Sequence, residues 1–245
     1  MKDKKGSTFV IIMVIVSISI YIIVTVGIKV FEKVDFINYD KESKKELKDI
    51  NKKYEDNEYA FNYDLTKNIE IKDYYIKDEG ILVEITNKND YPITSRIYTE
   101  FYDEKDELIT VETNYIISIS GAGKSYEKIY LNEELKKRYK SYKIKAIAEY
   151  DQYKLNLEDK IELISSKRDG NYYTIDFKNN SKYKIDSVYW GFIYYNNNEI
   201  VYYNEDSSNN VKSKETKRLK VVVFKDIEYD RVEPVLLYAY KRQRW

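Results

Sequence analysis

The sequence predicts a mainly β protein: an N-terminal transmembrane helix and a charged stalk, followed by two tandem antiparallel β-sandwiches. Three observations predict this. The first is a gapless internal repeat, in which Ile69, Val83, Ile85, Asn87, Ile93, Phe101, Leu108 and Ile144 recur as Ile161, Ile175, Phe177, Asn179, Ile185, Ile193, Ile200 and Leu236, each pair 92 positions apart. That period is the length of a small domain, too long for a solenoid repeat. The second is an uncharged run from Thr8 to Ile28. The third is the alternation of apolar and polar residues in short segments separated by turn residues. Together they divide the chain into a basic tail (1–7), a transmembrane signal anchor (8–28), a charged stalk (29–68), a first sandwich (69–150), a linker (151–160) and a second sandwich (161–245).

The run Thr8–Ile28 holds 21 residues, which at roughly 1.5 Å rise each just cross a hydrocarbon core of about 30 Å. A cleaved signal peptide has a shorter apolar core and small residues at its cut site, and Val24-Thr25-Val26-Gly27 is a poor match. The expectation is therefore an uncleaved, single-pass anchor. Lys2, Lys4 and Lys5 precede the run, and Lys29, Lys33, Lys41, Lys44, Lys45 and Lys48 follow it. That count alone favours an inward C-terminal part. A first span behind a short basic tail nonetheless directs a long following portion outward, and long domains translocate largely regardless of charge. The sequence is thus read as a cell-membrane protein with extracytoplasmic C-terminal domains.

Between Glu32 and Asn68 stand 8 Lys and 10 Asp or Glu, with Leu47, Ile50 and Tyr54 at helical spacing. This predicts a short amphipathic helix over Asp40 to Glu58 within the stalk. In the first copy Ile81, Val83 and Ile85 alternate with Leu82, Glu84 and Thr86, and Asn87-Lys88-Asn89-Asp90-Tyr91-Pro92 ends the strand in a turn. A second strand through Ile97, Thr99 and Phe101 turns at Asp103-Glu104-Lys105-Asp106 and returns through Leu108, Ile109 and Val111. Further strands are expected at Tyr115–Ser120, Ser125–Leu131 and Tyr142–Tyr150. A small helix is expected after Asn132 as N-cap, with Glu133 and Glu134 in its first turn and Lys136, Lys137 and Arg138 near its end.

The strings Val83-Glu-Ile-Thr-Asn-Lys-Asn-Asp-Tyr-Pro-Ile93 and Ile97-Tyr-Thr-Glu-Phe-Tyr-Asp-Glu-Lys-Asp-Glu-Leu108, with Gly121 or Gly123 before a strand, resemble the FxLYD-type immunoglobulin-like domain of bacterial surface proteins. The marks are an Asn after the first strong strand, an aromatic-Tyr-Asp ending a central strand, and a Gly turn before a late strand. In the second copy Asn179 is kept, while Tyr195 replaces Asp103 and Ser213-Lys214 replace the Gly turn. The resemblance implies an immunoglobulin-like sandwich at the cell surface and no catalytic residues.

Composition excludes much chemistry. With no His and no Cys, the chain has no imidazole base or ligand, no thiolate, no disulfide and no cysteine-ligated metal. Zero formal net charge argues against nucleic acid as a partner. The 28 Tyr need no binding role, because Tyr, Ile, Lys and Asn share A/T-rich codons. Gly121-Ala-Gly-Lys-Ser125 looks like the end of a phosphate loop, but Ser118 stands where the first Gly belongs and no parallel βα unit surrounds it; a turn before a strand explains the glycines. Asp103, Glu104, Asp106 and Glu107 carry charge without a calcium-loop pattern and read as a solvated hairpin tip. No catalytic, cofactor or metal site is assigned, and a small-molecule substrate is not expected.

Two features point to partners. In the second copy Tyr189, Gly191 and Ile193 alternate with Trp190, Phe192 and Tyr194, so both faces of one strand are apolar. One face is expected to pack in the sandwich and the other to meet the first copy, a second chain or a planar ligand. Charge also separates the copies: residues 69–150 carry 13 basic and 16 acidic residues, and residues 161–245 carry 15 and 12. The copies are thus set to attract each other, or Lys212, Lys214, Lys217 and Arg218, with Lys220, Lys241, Arg242 and Arg244, to meet an anionic wall polymer or head groups. The candidate partner-binding residues are Trp190, Phe192, Tyr194, Lys212, Lys214, Lys217 and Arg218. The sequence reads as a membrane-tethered interaction or structural module for an envelope protein or wall polymer. Its alternatives are a minor pilin-like subunit cut after Gly6, from Lys4-Lys5-Gly6-Ser7-Thr8-Phe9, and a carboxylate-dependent envelope enzyme.

Overall fold

Alternating apolar residues become strands throughout the computed structural model, which describes residues 58–151, 154–223 and 227–242. The apolar run 8–28, residues 40–57 of the helix expected over Asp40–Glu58 and most of the stalk lie outside the described residues. Among the described residues no helix is long and apolar enough to cross a membrane. The elements are helix α1 (Glu58–Lys67), strands β1 (Ile69–Ile76), β2 (Gly80–Asn87), β3 (Ile93–Tyr102), β4 (Leu108–Ile119) and β5 (Lys124–Tyr130), helix α2 (Glu133–Arg138), and strands β6 (Ser141–Tyr150), β7 (Lys154–Asn156), β8 (Ile161–Asp169), β9 (Tyr172–Asn179), β10 (Ile185–Asn196), β11 (Glu199–Val211), β12 (Thr216–Val222) and β13 (Arg231–Arg242).

The repeat is structural as well as sequential. Antiparallel sheets β1-β2-β5 and β4-β3-β6 form the first copy, and β12-β9-β8 and β11-β10-β13-β7 form the second. Ile69 faces Asn87 as Ile161 faces Asn179, and Ile93 faces Ile119 as Ile185 faces Val211. In the first copy Ile81, Val83 and Ile85 on β2 and Ile93, Ile97 and Phe101 on β3 are fully buried. In the second, Phe177 on β9 meets Trp190 on β10 at 5.7 Å between ring centroids, and Tyr173 meets Phe192 at 5.9 Å. The sheets thus pair into sandwich-like layers, and both copies belong to one compact unit, Lys53–Trp245.

Two connecting segments are more ordered than their charge suggests. Residues 58–68, the end of the segment read as stalk, carry α1, which docks on the first copy. Thr66 Oγ1 accepts the N–H of Ala148 at 2.9 Å and Asn62 Oδ1 that of Tyr150 at 3.2 Å, so α1 covers the free edge of β6. Leu65 is buried beneath it, and Phe61 packs its ring against Tyr91 and Tyr150. The segment read as a linker contributes β7, which pairs with β13, and buries Leu157 and Asp151. Asp151 accepts from Ser118 Oγ at 3.1 Å and pairs with Lys154 at 3.1 Å.

Expected helix α2 is present, with Asn132 Oδ1 accepting the N–H of Leu135 at 2.8 Å. The acidic tip after β3 is a hairpin turn: Asp103 Oδ1 accepts the N–H groups of Lys105 and Glu107 at 2.8 and 2.9 Å. The Gly121-Ala122-Gly123 segment is the turn before β5, and Ala122 is left-handed at φ 55 where its repeat mate Lys214 has φ 61. A Cβ at Gly121 would collide with the carbonyl of Asp90, which accounts for glycine there.

Candidate functional site

The face of β2 turned away from its own sandwich carries Leu82 and Glu84. By register Glu84 lies between Lys72 on β1 and Tyr126 on β5, and Leu82 lies opposite Lys128. Leu82, Glu84, Tyr126 and Lys128 are all buried, because the second copy packs on this face. Ile76, Leu82 and Tyr126 share one cluster with Ile193, Tyr203, Leu237, Tyr238 and Tyr240, flanked by Tyr74, Tyr189 and Tyr195. Tyr126 and Tyr203 meet at 6.1 Å and Tyr189 stacks on Tyr238 at 4.3 Å. Much of the tyrosine excess therefore serves the contact between copies. Tyrosine suits it, since each ring buries a large apolar area, although the Tyr203 hydroxyl is itself buried without a hydrogen-bond partner among the described residues.

At one end of this contact the copies part to form a cleft of about 1310 Å³. Tyr74 and the Lys77–Glu79 turn come from the β1–β2 hairpin, Glu84 and Tyr126 from β2 and β5, and Tyr195, Asn196, Asn198 and Glu199 from the β10–β11 hairpin. Asn197 and Asn198 hold that hairpin with φ of 52 and 68, as a tight turn requires. Glu84 is only 8% exposed, and its Oε2 accepts from the Tyr74 hydroxyl at 3.4 Å. Burial first, then Glu84, raises the pKa of Tyr74 and of Tyr126, so both stay neutral hydrogen-bond donors in neutral solution.

Cations held by tyrosine and glutamate recur around the cleft. Lys128, 5% exposed, pairs with Glu79 and lies 4.8 Å from the Tyr130 ring centroid and 5.0 Å from that of Tyr202. Arg231 stacks its guanidinium 3.7 Å over Tyr195 and donates to Glu233 Oε2 at 3.0 Å, which the Tyr195 hydroxyl also reaches at 3.2 Å. The third set, Glu84 with Tyr74 and Tyr126, has no cation at ion-pair distance among the described residues. Lys124 Nζ stands 5.5 Å from the Tyr126 centroid, but neither it nor Lys72 lines the cleft.

The structure distributes the sequence-derived candidates differently. Trp190, Phe192 and Tyr194 are 3%, 0% and 1% exposed and fill the core of the second sandwich, so these three offer a partner no surface. The opposite face of β10, with Gly191 and Ile193, is the one that meets the first copy. A Cβ on Gly191 would come within 2.9 Å of the Tyr203 ring and 3.2 Å of Leu237, so glycine leaves room for these side chains of the flanking strands β11 and β13 to lie across β10. Lys212, Lys214 and Arg218 are exposed and Lys217 is half-buried. They do not converge: Lys214 Nζ donates to the carbonyl of Asn180 at 2.6 Å and Lys217 Nζ to that of Asn209 at 3.2 Å. Arg218 forms a two-pronged pair with Asp176 at 2.7 and 2.9 Å, which lowers the Asp176 pKa. Arg244 lies outside the described residues.

No family model matches the chain, and no curated protein matches it. Among solved structures, the transglutaminase of red sea bream aligns at 10% identity and a TM-score of 0.26, covering 69% of this chain and 31% of that protein. A likeness of that size carries neither fold nor function across.

Proposed function

We propose that the protein is a membrane-tethered, extracytoplasmic interaction module: a single-pass signal anchor holding two immunoglobulin-like sandwiches at the cell surface. The observation that carries this reading is the uncharged run Thr8–Ile28 ahead of the repeated β domain. Antiparallel sheets in both copies, and a buried Asn at matching places in each, support the resemblance to FxLYD-type domains. The packing of the copies against each other supports a body that moves as one and presents the cleft between them.

Protease accessibility of the full-length protein on intact cells, read by mass spectrometry, tests the reading. Digestion beyond Glu32 with Met1–Lys5 retained is the expected result. Complete protection until lysis would reverse the orientation and overturn it.

A further inference from the structure

We propose that the cleft between the two copies binds a basic segment of a partner protein, seating a lysine or arginine side chain on Tyr74 and Tyr126 against Glu84. The inference rests on reading the chain as an interaction module, but not on its orientation across a membrane.

Charge comes first. Among the described residues the cleft is lined by one lysine, Lys77, and by Asp78, Glu84, Glu199 and Glu228, none of which has an ion-pair partner among those residues. Glu79 also lines it but is neutralised by Lys128. A concave site with carboxylates in excess concentrates cations. Chemistry comes second: a ring face and a carboxylate together select an ammonium or guanidinium group. The chain itself fills two such sets beside the cleft, with Lys128 and with Arg231. The Glu84 set has the same components and lines the cleft, with Tyr74 half-buried and Glu84 and Tyr126 8% and 5% exposed.

Size comes third. The cleft's volume of about 1310 Å³ exceeds the usual range of about 300–1,000 Å³ for small-ligand pockets, which favours a stretch of polypeptide over a lone amine. Asn196 and Asn198 at its rim supply amides that both donate to and accept from a peptide main chain.

Calorimetric titration of the full-length protein in neutral detergent tests this, with hexalysine, hexaarginine, hexaglutamate and a neutral N-acetylglucosamine hexamer as probes. The two cationic peptides should bind and hexaglutamate should not, with affinity falling as salt rises. Glu84→Gln should weaken hexalysine about tenfold, and Lys77→Glu should tighten it severalfold. A double change at the remote β3–β4 turn, Glu104→Gln with Asp106→Asn, should leave it unaltered. Should Glu84→Gln lower the unfolding midpoint, the exposed rim variant Glu199→Gln provides the same test without touching buried structure. Hexalysine binding that ignores both Glu84→Gln and Glu199→Gln, or that the remote change weakens equally, would overturn the proposal. So would binding of the neutral hexamer without the cationic peptides. Because these readouts use purified protein, their failure is distinguishable from a reversed topology on cells.

Discussion

Asn87 and Asn179, 92 positions apart and both fully buried, make the same bonds in the two copies. Asn87 Nδ2 donates to the carbonyls of Tyr91 and Ser120, each at 2.8 Å, while its Oδ1 accepts the N–H of Asn89 at 3.0 Å. Asn179 Nδ2 donates to Tyr183 and Lys212 at 2.8 and 3.0 Å, and its Oδ1 accepts from Ser181 at 2.9 Å. One amide thus ties the end of a strand to its own turn and to the end of a strand from the other sheet. No other side chain of that size offers two donors and an acceptor at once.

Asn179→Ala is therefore expected to destabilise the protein by about 1–3 kcal/mol, since it leaves the buried N–H of Ser181 without its acceptor and removes the tie between Tyr183 and Lys212. Asn179→Asp should be no better, because a carboxylate would face carbonyls that need a donor. Urea unfolding of the parent and both variants measures this. An aspartate variant as stable as the parent would show that the donors are dispensable.

Trp190→Ala provides a direct test of the core role. Its ring lies against Phe177 and is nearly inaccessible, so truncation should cost about 3–5 kcal/mol. A melting transition left nearly unchanged would return Trp190 to the surface role that its sequence pattern allowed.

Most strands of the first copy, its turns and α2 were legible in the sequence because each rests on local patterns of alternation, turn residues and capping. The separate strand expected at Tyr115–Ser120 is instead the second half of the continuous β4, and β1 and β7 are not among the expected strands. The repeat also gave the pairing of copies, yet hid a reversal within it. Phe101 and Ile193 are mates in sequence, but Phe101 fills its own sandwich while Ile193 faces the other copy. On β3 buried and half-buried residues alternate without a break, whereas on β10 Ser187 and Val188 are both buried and the phase changes. Close by, the register of β10 with β13 shifts between Tyr189 and Trp190, the sort of local bulge that re-aims a strand. The cleft was not legible, because Tyr74, Glu84 and Tyr126 meet Tyr195 and Glu199 only through sheet-on-sheet packing. Its signal in the sequence was Leu82, an apolar residue on the face of β2 that a lone sandwich would leave wet, together with the two apolar faces of β10.

Gly191→Ala should loosen the contact between copies. The added methyl must displace the Tyr203 ring and Leu237, an overpacking that costs about 1–3 kcal/mol. In a Tyr203→Leu background the same substitution should cost measurably less, giving a coupling between the two sites in a double-mutant cycle. Strict additivity would mean that the two residues do not touch.

Stability should carry a pH signature from Glu127. Burial, reinforced by nearby Glu205 and opposed by the Asn114 amide, pushes its carboxyl up to about 7 from an ordinary value of 4.5. Burial raises Glu158 to about 7 as well. A raised carboxyl means that the folded state holds the proton more tightly than the unfolded one. The stability it contributes is therefore present below about pH 4.5 and is lost as pH rises through about 7. Glu127→Gln mimics the protonated form and keeps the Asn114 contact. It should match the parent near pH 4 and exceed it by on the order of 1–3 kcal/mol at pH 8, measured by urea midpoints at both values. Other carboxylates with lowered pKa, such as Asp176 beside Arg218, act in the opposite sense, but they are common to parent and variant and cancel in the difference. Equal midpoints at pH 8 would mean that Glu127 is ionised in the folded protein at no cost, with its charge reaching water past Asn114.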